Sequence, residues 1–247
     1  MTKKREITEE YAVLSDKKWI VKAFSFLKFL YLDKREKRRR RKAGIIEFEE
    51  YGLTCFVGRQ GDGKTISMLE MAEYYRSKYP GTRFASNFGY VHEDFPITSW
   101  ADITEHDFKS EPVGMIFLLD EIHSEFSSRD SKNFPERALR ILTQQRKNKI
   151  KILSTAQVFT RIAKPIREQT YEVVECRTLL GRWTFQQAYD AYFYDQVLSQ
   201  PHLKHKIPKI WKRNFVQNDH IRTLFDSYAM IEALGKEGLM LKEKGDL

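Results

Sequence analysis

The 247-residue chain carries 43 Lys and Arg against 34 Asp and Glu, which gives a formal charge of +9. This length suits one large α/β domain with a short appendage and argues against two full nucleotide-binding lobes. It contains no run of about 18 apolar residues and no signal-peptide pattern, so we expect neither a membrane-spanning helix nor a leader.

The N-terminal arm, residues 1–44, holds the whole excess of positive charge. It has 15 Lys and Arg against 6 Asp and Glu, whereas the two signs balance in the rest of the chain. Within the arm, Trp19–Leu32 predicts an amphipathic helix with one broad apolar face. The whole apolar segment Lys17–Leu32 has 16 residues and as a helix would span about 24 Å, less than the ~30 Å hydrocarbon core of a bilayer. We therefore expect this helix to lie on its own domain, on a neighbouring subunit or on a membrane surface.

A basic run follows that helix directly. Eight of the nine residues in Lys34–Lys42 are positively charged. Such a run is either a solvated linker or a site for phosphate groups, and both nucleic acid and acidic lipid headgroups offer these. The sequence leaves both partners open.

A glycine-rich segment follows the predicted strand 53–57 and precedes the predicted helix 66–78. Its residues, which fit G-x-x-x-x-G-K-[ST], are Gly58, Arg59, Gln60, Gly61, Asp62, Gly63, Lys64 and Thr65. A strand, a glycine-rich turn and a helix N-terminus in this order form a phosphate cradle of backbone N–H groups. Lys64 is expected to reach the β and γ phosphates of ATP, and Thr65 to bind Mg²⁺.

Two carboxylates follow an apolar run in the middle of the chain. The run 115–119 predicts a strand buried on both faces, and Asp120 and Glu121 come directly after it. The carboxyl ends of parallel strands share one edge of a sheet, so these acids are expected beside the phosphate loop. Asp120 would hold Mg²⁺ through water, and Glu121 would orient or deprotonate the attacking water. The nearby His123 is expected to be a structural loop residue.

The remaining pattern completes an α/β domain over residues 45–200, with a C-terminal lid and tail over residues 201–247. The two cysteines, Cys55 and Cys176, fall in strand-like apolar segments and are expected to be reduced core residues. The other predicted elements are strands at 82–86, 151–157 and 172–178, a helix from Pro135 to about Lys147, a basic loop at 201–211 and a lid helix at 219–234.

These motifs together resemble the FtsK–HerA group of P-loop ATPases, above all phage DNA-packaging ATPases and zonula-occludens-toxin-like proteins. The resemblance covers about residues 50–180. It implies a RecA-like P-loop NTPase fold of class α/β, with a mainly parallel central sheet, helices on both faces and, here, an added basic N-terminal helical arm. It also implies assembly into a ring of five or six subunits, in which an arginine completes the next subunit's site.

Carried over by position, the resemblance makes Arg146 the first choice for that arginine and Arg140 the second. Gln157 matches the polar sensor at the end of the fourth core strand. Asp62 departs from the group, because an acid inside the phosphate loop is expected to weaken nucleotide affinity. The membrane segment of the filamentous-phage branch is absent from this sequence, which favours a soluble packaging motor.

The sequence therefore predicts an ATP- and Mg²⁺-dependent translocase of double-stranded DNA, most simply a phage genome-packaging motor in the cytoplasm of its host. Its further expected partners are a capsid portal or a packaging RNA. Three alternatives stay open. They are a peripheral-membrane ATPase of phage extrusion or conjugative transfer that uses Trp19–Leu32 as its anchor, a nucleotide-gated binding module that hydrolyses little, and a small-molecule kinase.

Overall fold

A computed structural model describes residues 18–108, 111, 113–122, 136–198 and 207–225 of the chain. Its contacts divide the chain into two compact units, residues 1–46 and residues 47–247. The predicted loop residue His123, the predicted helix start at Pro135 and most of the predicted lid helix lie outside the described residues.

The described part of the first unit is one helix, α1, Trp19–Lys42. It is longer than predicted because it continues through the basic run. Its last turn is entirely basic, and the negative end of the helix dipole favours positive charge there. Glu36 adds a side-chain contact one turn apart, accepting a hydrogen bond of 3.3 Å from Arg40 Nε.

The apolar residues of α1 do not form the single face that the sequence predicted. Trp19, Ile20 and Val21 are consecutive and all exposed, and successive helical residues point about 100° apart. The polarity of α1 instead changes along its axis, from an apolar first half to a basic second half. Among the helices that the structure describes, none has the length and apolar content needed to cross a membrane.

The described residues of the second unit form an eight-stranded sheet in the order β3-β2-β4-β5-β1-β6-β7-β8. The five pairs from β3 to β6 are parallel, and the β6–β7 and β7–β8 pairs are antiparallel. The strands are β1 Gly52–Val57, β2 Arg83–Ser86, β3 Phe95–Pro96, β4 Met115–Leu119, β5 Ile150–Ala156, β6 Thr170–Leu179, β7 Trp183–Asp190 and β8 Lys209–Val216.

Helices cover both faces of this sheet, as the predicted fold class requires. Every residue of β1, β4 and β5 is buried, which is the pattern of strands packed on two sides. Helix α2 packs on one face, and α4, α6 and α7 pack on the other. The helices are α2 Lys64–Lys78, α3 Trp100–Thr104, α4 Glu136–Thr143, α5 Gln145–Asn148, α6 Lys164–Gln169, α7 Ala191–Leu198 and α8 Asp219–Arg222.

Three local features of the described residues differ from what the sequence led us to expect. The helix predicted to reach Lys147 is interrupted at Gln144, which separates α4 from α5. Strands β7 and β8 were not predicted, and β8 replaces part of the expected basic loop and tail with a sheet edge. The predicted lid helix is only the single turn α8 within the described residues, because the chain leaves the helix after Arg222.

Candidate functional site

The phosphate loop connects β1 to α2, and its conformation is stabilised by one hydrogen bond within the loop and one from β6. Asp62 Oδ2 accepts a hydrogen bond of 2.7 Å from the Arg59 N–H, and the Thr178 hydroxyl donates to the Asp62 carbonyl at 3.0 Å. Gly63 has φ of 79°, and a Cβ there would lie 2.4 Å from Thr178 Oγ1. Glycine is therefore required at this position both by conformation and by space.

The side chain of Lys64, the first residue of α2, folds back onto the phosphate loop. Its side chain is 7% exposed, and Nζ lies 3.3 Å from the Arg59 carbonyl and 3.9 Å from Glu121 Oε1. The N-terminus of α2 and this ammonium group both give a positive potential to the space that the phosphate loop encloses. Gln60 and Gly61 of the loop are exposed, so a ligand can reach this space from solvent.

Thr65 and Asp120 meet across the sheet edge. The Thr65 hydroxyl lies 3.1 Å from Asp120 Oδ1 and 3.3 Å from Oδ2. Thr155, near the end of β5, donates a hydrogen bond of 2.5 Å to the same Oδ1. The Asp120 side chain is thus oriented by two hydroxyl groups from two other elements.

A second set of contacts fixes the backbone of the two acids. The Asn87 amide exchanges two hydrogen bonds with the main chain of Asp120, at 2.7 Å and 3.0 Å. The Glu121 N–H donates to Thr155 Oγ1 at 2.9 Å. Glu121 has φ of 50°, a conformation that is uncommon outside glycine and is concentrated at functional sites. The turn directs Glu121 towards Lys64.

The Thr65 and Asp120 oxygens suit a magnesium ion. Both are hard oxygen ligands, and Mg²⁺ is commonly bound through one or two such groups together with substrate phosphates and water. Within the described residues no cluster of three or more His, Cys, Asp or Glu side chains forms a separate metal cage. The donor set at this edge therefore fits an ion that arrives with a nucleotide.

The topology brings Gln157 to the same edge. Strand β5 lies between β1, which leads into the phosphate loop, and β4, which leads to Asp120 and Glu121. Gln157 directly follows β5, is exposed, and lines a cavity of about 950 Å³ together with Gly58 and Arg59 of the loop.

Arg146 lies away from this edge. The Arg146 guanidinium lies 5.7 Å from the ring centroid of Tyr51, which immediately precedes β1 and so marks the opposite edge of the sheet. Arg140 is exposed and donates a hydrogen bond of 2.8 Å to Glu136 on the same helix. A role for Arg146 at a phosphate site would therefore require a neighbouring subunit, and the role of either arginine remains a prediction.

The cysteines contribute no reactive thiolate. Cys55 and Cys176 are both buried, and burial raises the pKa of each thiol to about 12. Both thiols are protonated at neutral pH, although Cys176 borders the cavity beside the loop.

Sequence reasoning missed the supporting residues Asn87, Thr155 and Thr178. Asn87 follows β2 directly, so its place at a strand end was a usable signal. Thr155 and Thr178 lie within β5 and β6, where a threonine is ordinary. Their roles depend on which strands are neighbours, and the motif does not contain that information.

Comparison with family models and with curated proteins found no match. Among solved structures, the N-terminal domain of zonular occludens toxin from Neisseria meningitidis is similar, with a TM-score of 0.50 and 14% identity over 72% of this chain and 100% of that chain. The genome packaging NTPase B204 from Sulfolobus turreted icosahedral virus 2, with ATP-γS, has a TM-score of 0.43 and 11% identity over 58% and 93% of the two chains. Thermomonospora curvata EccC (ATPases 2 and 3) has a TM-score of 0.40 and 10% identity over 60% and 36%.

The likeness to the toxin domain extends through the whole of that domain. Together with the phosphate loop and the acids beside it, it establishes the P-loop NTPase fold for the described residues of the second unit.

Proposed function

We propose that this chain hydrolyses ATP to move double-stranded DNA and that it works as a homo-oligomeric ring, most simply as a viral genome-packaging motor. The observation that carries the proposal is the convergence of Lys64, Thr65, Asp120 and Glu121 at one sheet edge. In such a motor the capsid portal or a packaging RNA would be the docking partner, and the host cytoplasm the place of action.

Each of the four side chains has a separate part in hydrolysis. Lys64 would leave its contact with the Arg59 carbonyl to bind the β and γ phosphates, and Thr65 and Asp120 would hold Mg²⁺. When bound, the ion neutralises the charge that develops on the phosphate oxygens. Glu121, which lies 3.9 Å from Lys64 Nζ, would accept a proton from the attacking water, and Gln157 would orient that water.

Ring assembly is supported by the position of Arg146, the first choice for the arginine that completes a neighbouring subunit's site. Arg146 contacts Tyr51 at the far edge of the sheet, so it could stabilise the transition state only in a neighbour's site. An arginine supplied in this way is worth about 10³–10⁵ in rate in other NTPases. Turnover would then require contact between subunits.

The first test is ATPase rate per subunit against protein concentration, with and without double-stranded DNA. A motor of this kind gains rate with both, and a rate that is indifferent to both contradicts the proposal. Glu121→Gln should lower turnover by about 10²–10⁴ while ATP binding persists. If partner function survives this variant, the chain is a nucleotide-gated binding module instead.

Mixing variants tests the shared site. Arg146→Ala and Glu121→Gln should each be inactive alone, but a mixed ring pairs an intact Glu121 in one subunit with an intact Arg146 in the next and should regain activity. The same mixture with Arg140→Ala tests the second choice. Arg137→Ala, which removes an equal charge from an exposed position of α4, is the control and should be active alone.

A membrane-associated role in phage extrusion or conjugative transfer is the second candidate, and the exposed apolar half of α1 favours it. The two candidates differ in whether ATP turnover responds to vesicles. Stimulation by lipid would support the second, and stimulation by DNA alone the first.

A further inference from the structure

Helix α1 exposes an unusual amount of apolar surface. Its first part, Trp19–Leu32, is here called the apolar half, and none of its side chains is buried. Exposed apolar surface on this scale marks an interaction site. Its large exposed apolar side chains are Trp19, Ile20, Val21, Phe24, Phe26, Leu27, Phe29, Leu30, Tyr31 and Leu32, with exposures from 37% to 76%.

The distribution of these side chains indicates what could cover them. They point in all directions around the helix axis, so a groove that covers one face would leave the others in water. A fluid apolar medium covers every face at once. The apolar half has 14 residues and is about 21 Å long at 1.5 Å per residue, which is more than one leaflet of a ~30 Å hydrocarbon core but less than the whole. It can therefore enter a bilayer without crossing it.

The second part of α1 indicates the charge of the partner. Lys34–Lys42, here called the basic half, has eight positive charges in nine residues and continues the same helix without a break. Clusters of four to eight Lys or Arg beside an apolar segment bind anionic headgroups. Duplex DNA would match the basic half but leave the apolar half exposed. An anionic lipid surface satisfies both halves.

We propose that α1 binds an anionic phospholipid bilayer, with the apolar half inserted from one side without crossing and the basic half at the headgroups of that side. Lys22 and Lys28, the two charged residues inside the apolar half, have long side chains that can extend to the interface. This interaction goes beyond the proposed ATPase activity, because it requires neither nucleotide nor the second unit.

Flotation of the full chain with vesicles tests the proposal. The chain should float with phosphatidylcholine vesicles that contain about 30% phosphatidylglycerol and at least about tenfold less with phosphatidylcholine alone. Replacing Arg38, Arg39, Arg40 and Arg41 by Gln should lower the partition coefficient by about 100-fold or more. Replacing Phe24, Phe26 and Phe29 by Ser should lower it by a similar factor, because each change removes a large apolar group that the bilayer would bury.

A matched triple variant separates α1 from surface hydrophobicity in general. Leu180, Tyr192 and Phe193 are also large, exposed and apolar, and replacing them by Ser should leave flotation unchanged. Lys64→Ala should float normally while ATPase activity is lost, so that failure of one proposal does not imply failure of the other.

Three results would overturn the membrane proposal. The first is no flotation with anionic vesicles at about 100 mM salt, where surface charges are still felt over about 10 Å. The second is flotation that neither α1 variant reduces. The third is binding of duplex DNA that the arginine variant abolishes and the phenylalanine variant leaves intact, without vesicle binding, which would assign α1 to nucleic acid.

Discussion

The Thr65 hydroxyl lies 3.1 Å from Asp120 Oδ1, although the two residues are 55 positions apart in the chain. Thr65 belongs to the first turn of α2, and Asp120 follows β4. Strand β5 separates β4 from β1 in the sheet, so the contact spans one intervening strand. Because Thr155 of that intervening strand also contacts Asp120, β5 helps to set the distance between the phosphate loop and the acids.

Thr155 is expected to act as a positioning residue. Thr155→Val removes both the 2.5 Å hydrogen bond to Asp120 Oδ1 and the acceptor of the Glu121 N–H. Loss of such a supporting contact lowers metal affinity or activity by about 10- to 100-fold. The measurement is ATPase rate against Mg²⁺ concentration, in which the half-saturating concentration should rise.

Thr155→Ser is the matched control, because it keeps the hydroxyl and should restore the Mg²⁺ response. A Thr155→Val protein that unfolds more easily but keeps the wild-type Mg²⁺ dependence would show that the residue is only structural.

Two glycines of the phosphate loop allow the backbone requirement for glycine to be distinguished from the steric requirement. Gly61 and Gly63 have φ of 84° and 79°, but a Cβ at Gly61 meets nothing within 4 Å, whereas one at Gly63 lies 2.4 Å from Thr178 Oγ1. Gly61→Ala carries only a backbone penalty of about 1–2 kcal/mol. Gly63→Ala adds overpacking of about 1–3 kcal/mol, so it should weaken ATP binding about tenfold or more beyond Gly61→Ala.

Titration with a non-hydrolysable ATP analogue measures both variants. Equal affinities for the two would mean that Thr178 moves freely and does not hold the loop.

The meeting of the phosphate loop and the two acids at one sheet edge was predictable from the sequence, because both lie at strand ends. The phosphate loop and the Asp120–Glu121 pair each follow an apolar run, and parallel strands present such ends at one edge. The antiparallel extension was not readable. Strand β7 contains Thr184 and Gln186, which are 0% and 1% exposed, so burial there does not follow the apolar alternation that reveals a strand.

The prediction of an amphipathic helix for α1 was also wrong because the spacing of a few residues did not represent the whole pattern. The recurring Lys18, Lys22, Ser25 and Lys28 suggested a polar face, but apolar residues also occupy the positions between them on that side of the helix. The arginine that would serve a neighbouring subunit is not readable from one chain at all, because its position depends on an assembly.

Lys151 is expected to make the free energy of unfolding depend on pH in the alkaline range. It is 3% exposed, and its Nζ donates to Thr54 Oγ1 at 2.8 Å and to the Tyr51 carbonyl at 3.2 Å. Burial lowers the pKa of this ammonium group, with Glu172 and Glu50 acting in the opposite direction. Between the lowered pKa and the ordinary value of about 10.4, the unfolded chain binds more protons, so this residue's contribution to stability rises with pH.

Lys151→Met removes that titration together with two buried hydrogen bonds, each worth about 0.5–1.5 kcal/mol. Urea unfolding from pH 7 to about 10 should show the wild type gaining stability relative to the variant as pH rises. Lys212→Met, at an exposed position of β8, should show no such trend. A constant difference for Lys151→Met across the range would contradict the expectation.

Asp62 is expected to limit nucleotide affinity. Its Oδ2 already accepts the Arg59 N–H, one of the loop donors that would face phosphate, and its charge repels the triphosphate. Asp62→Asn keeps an oxygen for that N–H and removes the charge, so ATP should bind about tenfold more tightly at low ionic strength. Titrations at about 50 mM and about 500 mM salt should show the gain in ATP affinity shrinking as screening increases.

Asp33→Asn, which makes the same change of net charge in α1, is the control for Asp62→Asn and should show no gain in ATP affinity. Weaker binding by Asp62→Asn would mean that the carboxylate is needed to shape the loop, and that this shaping outweighs the repulsion.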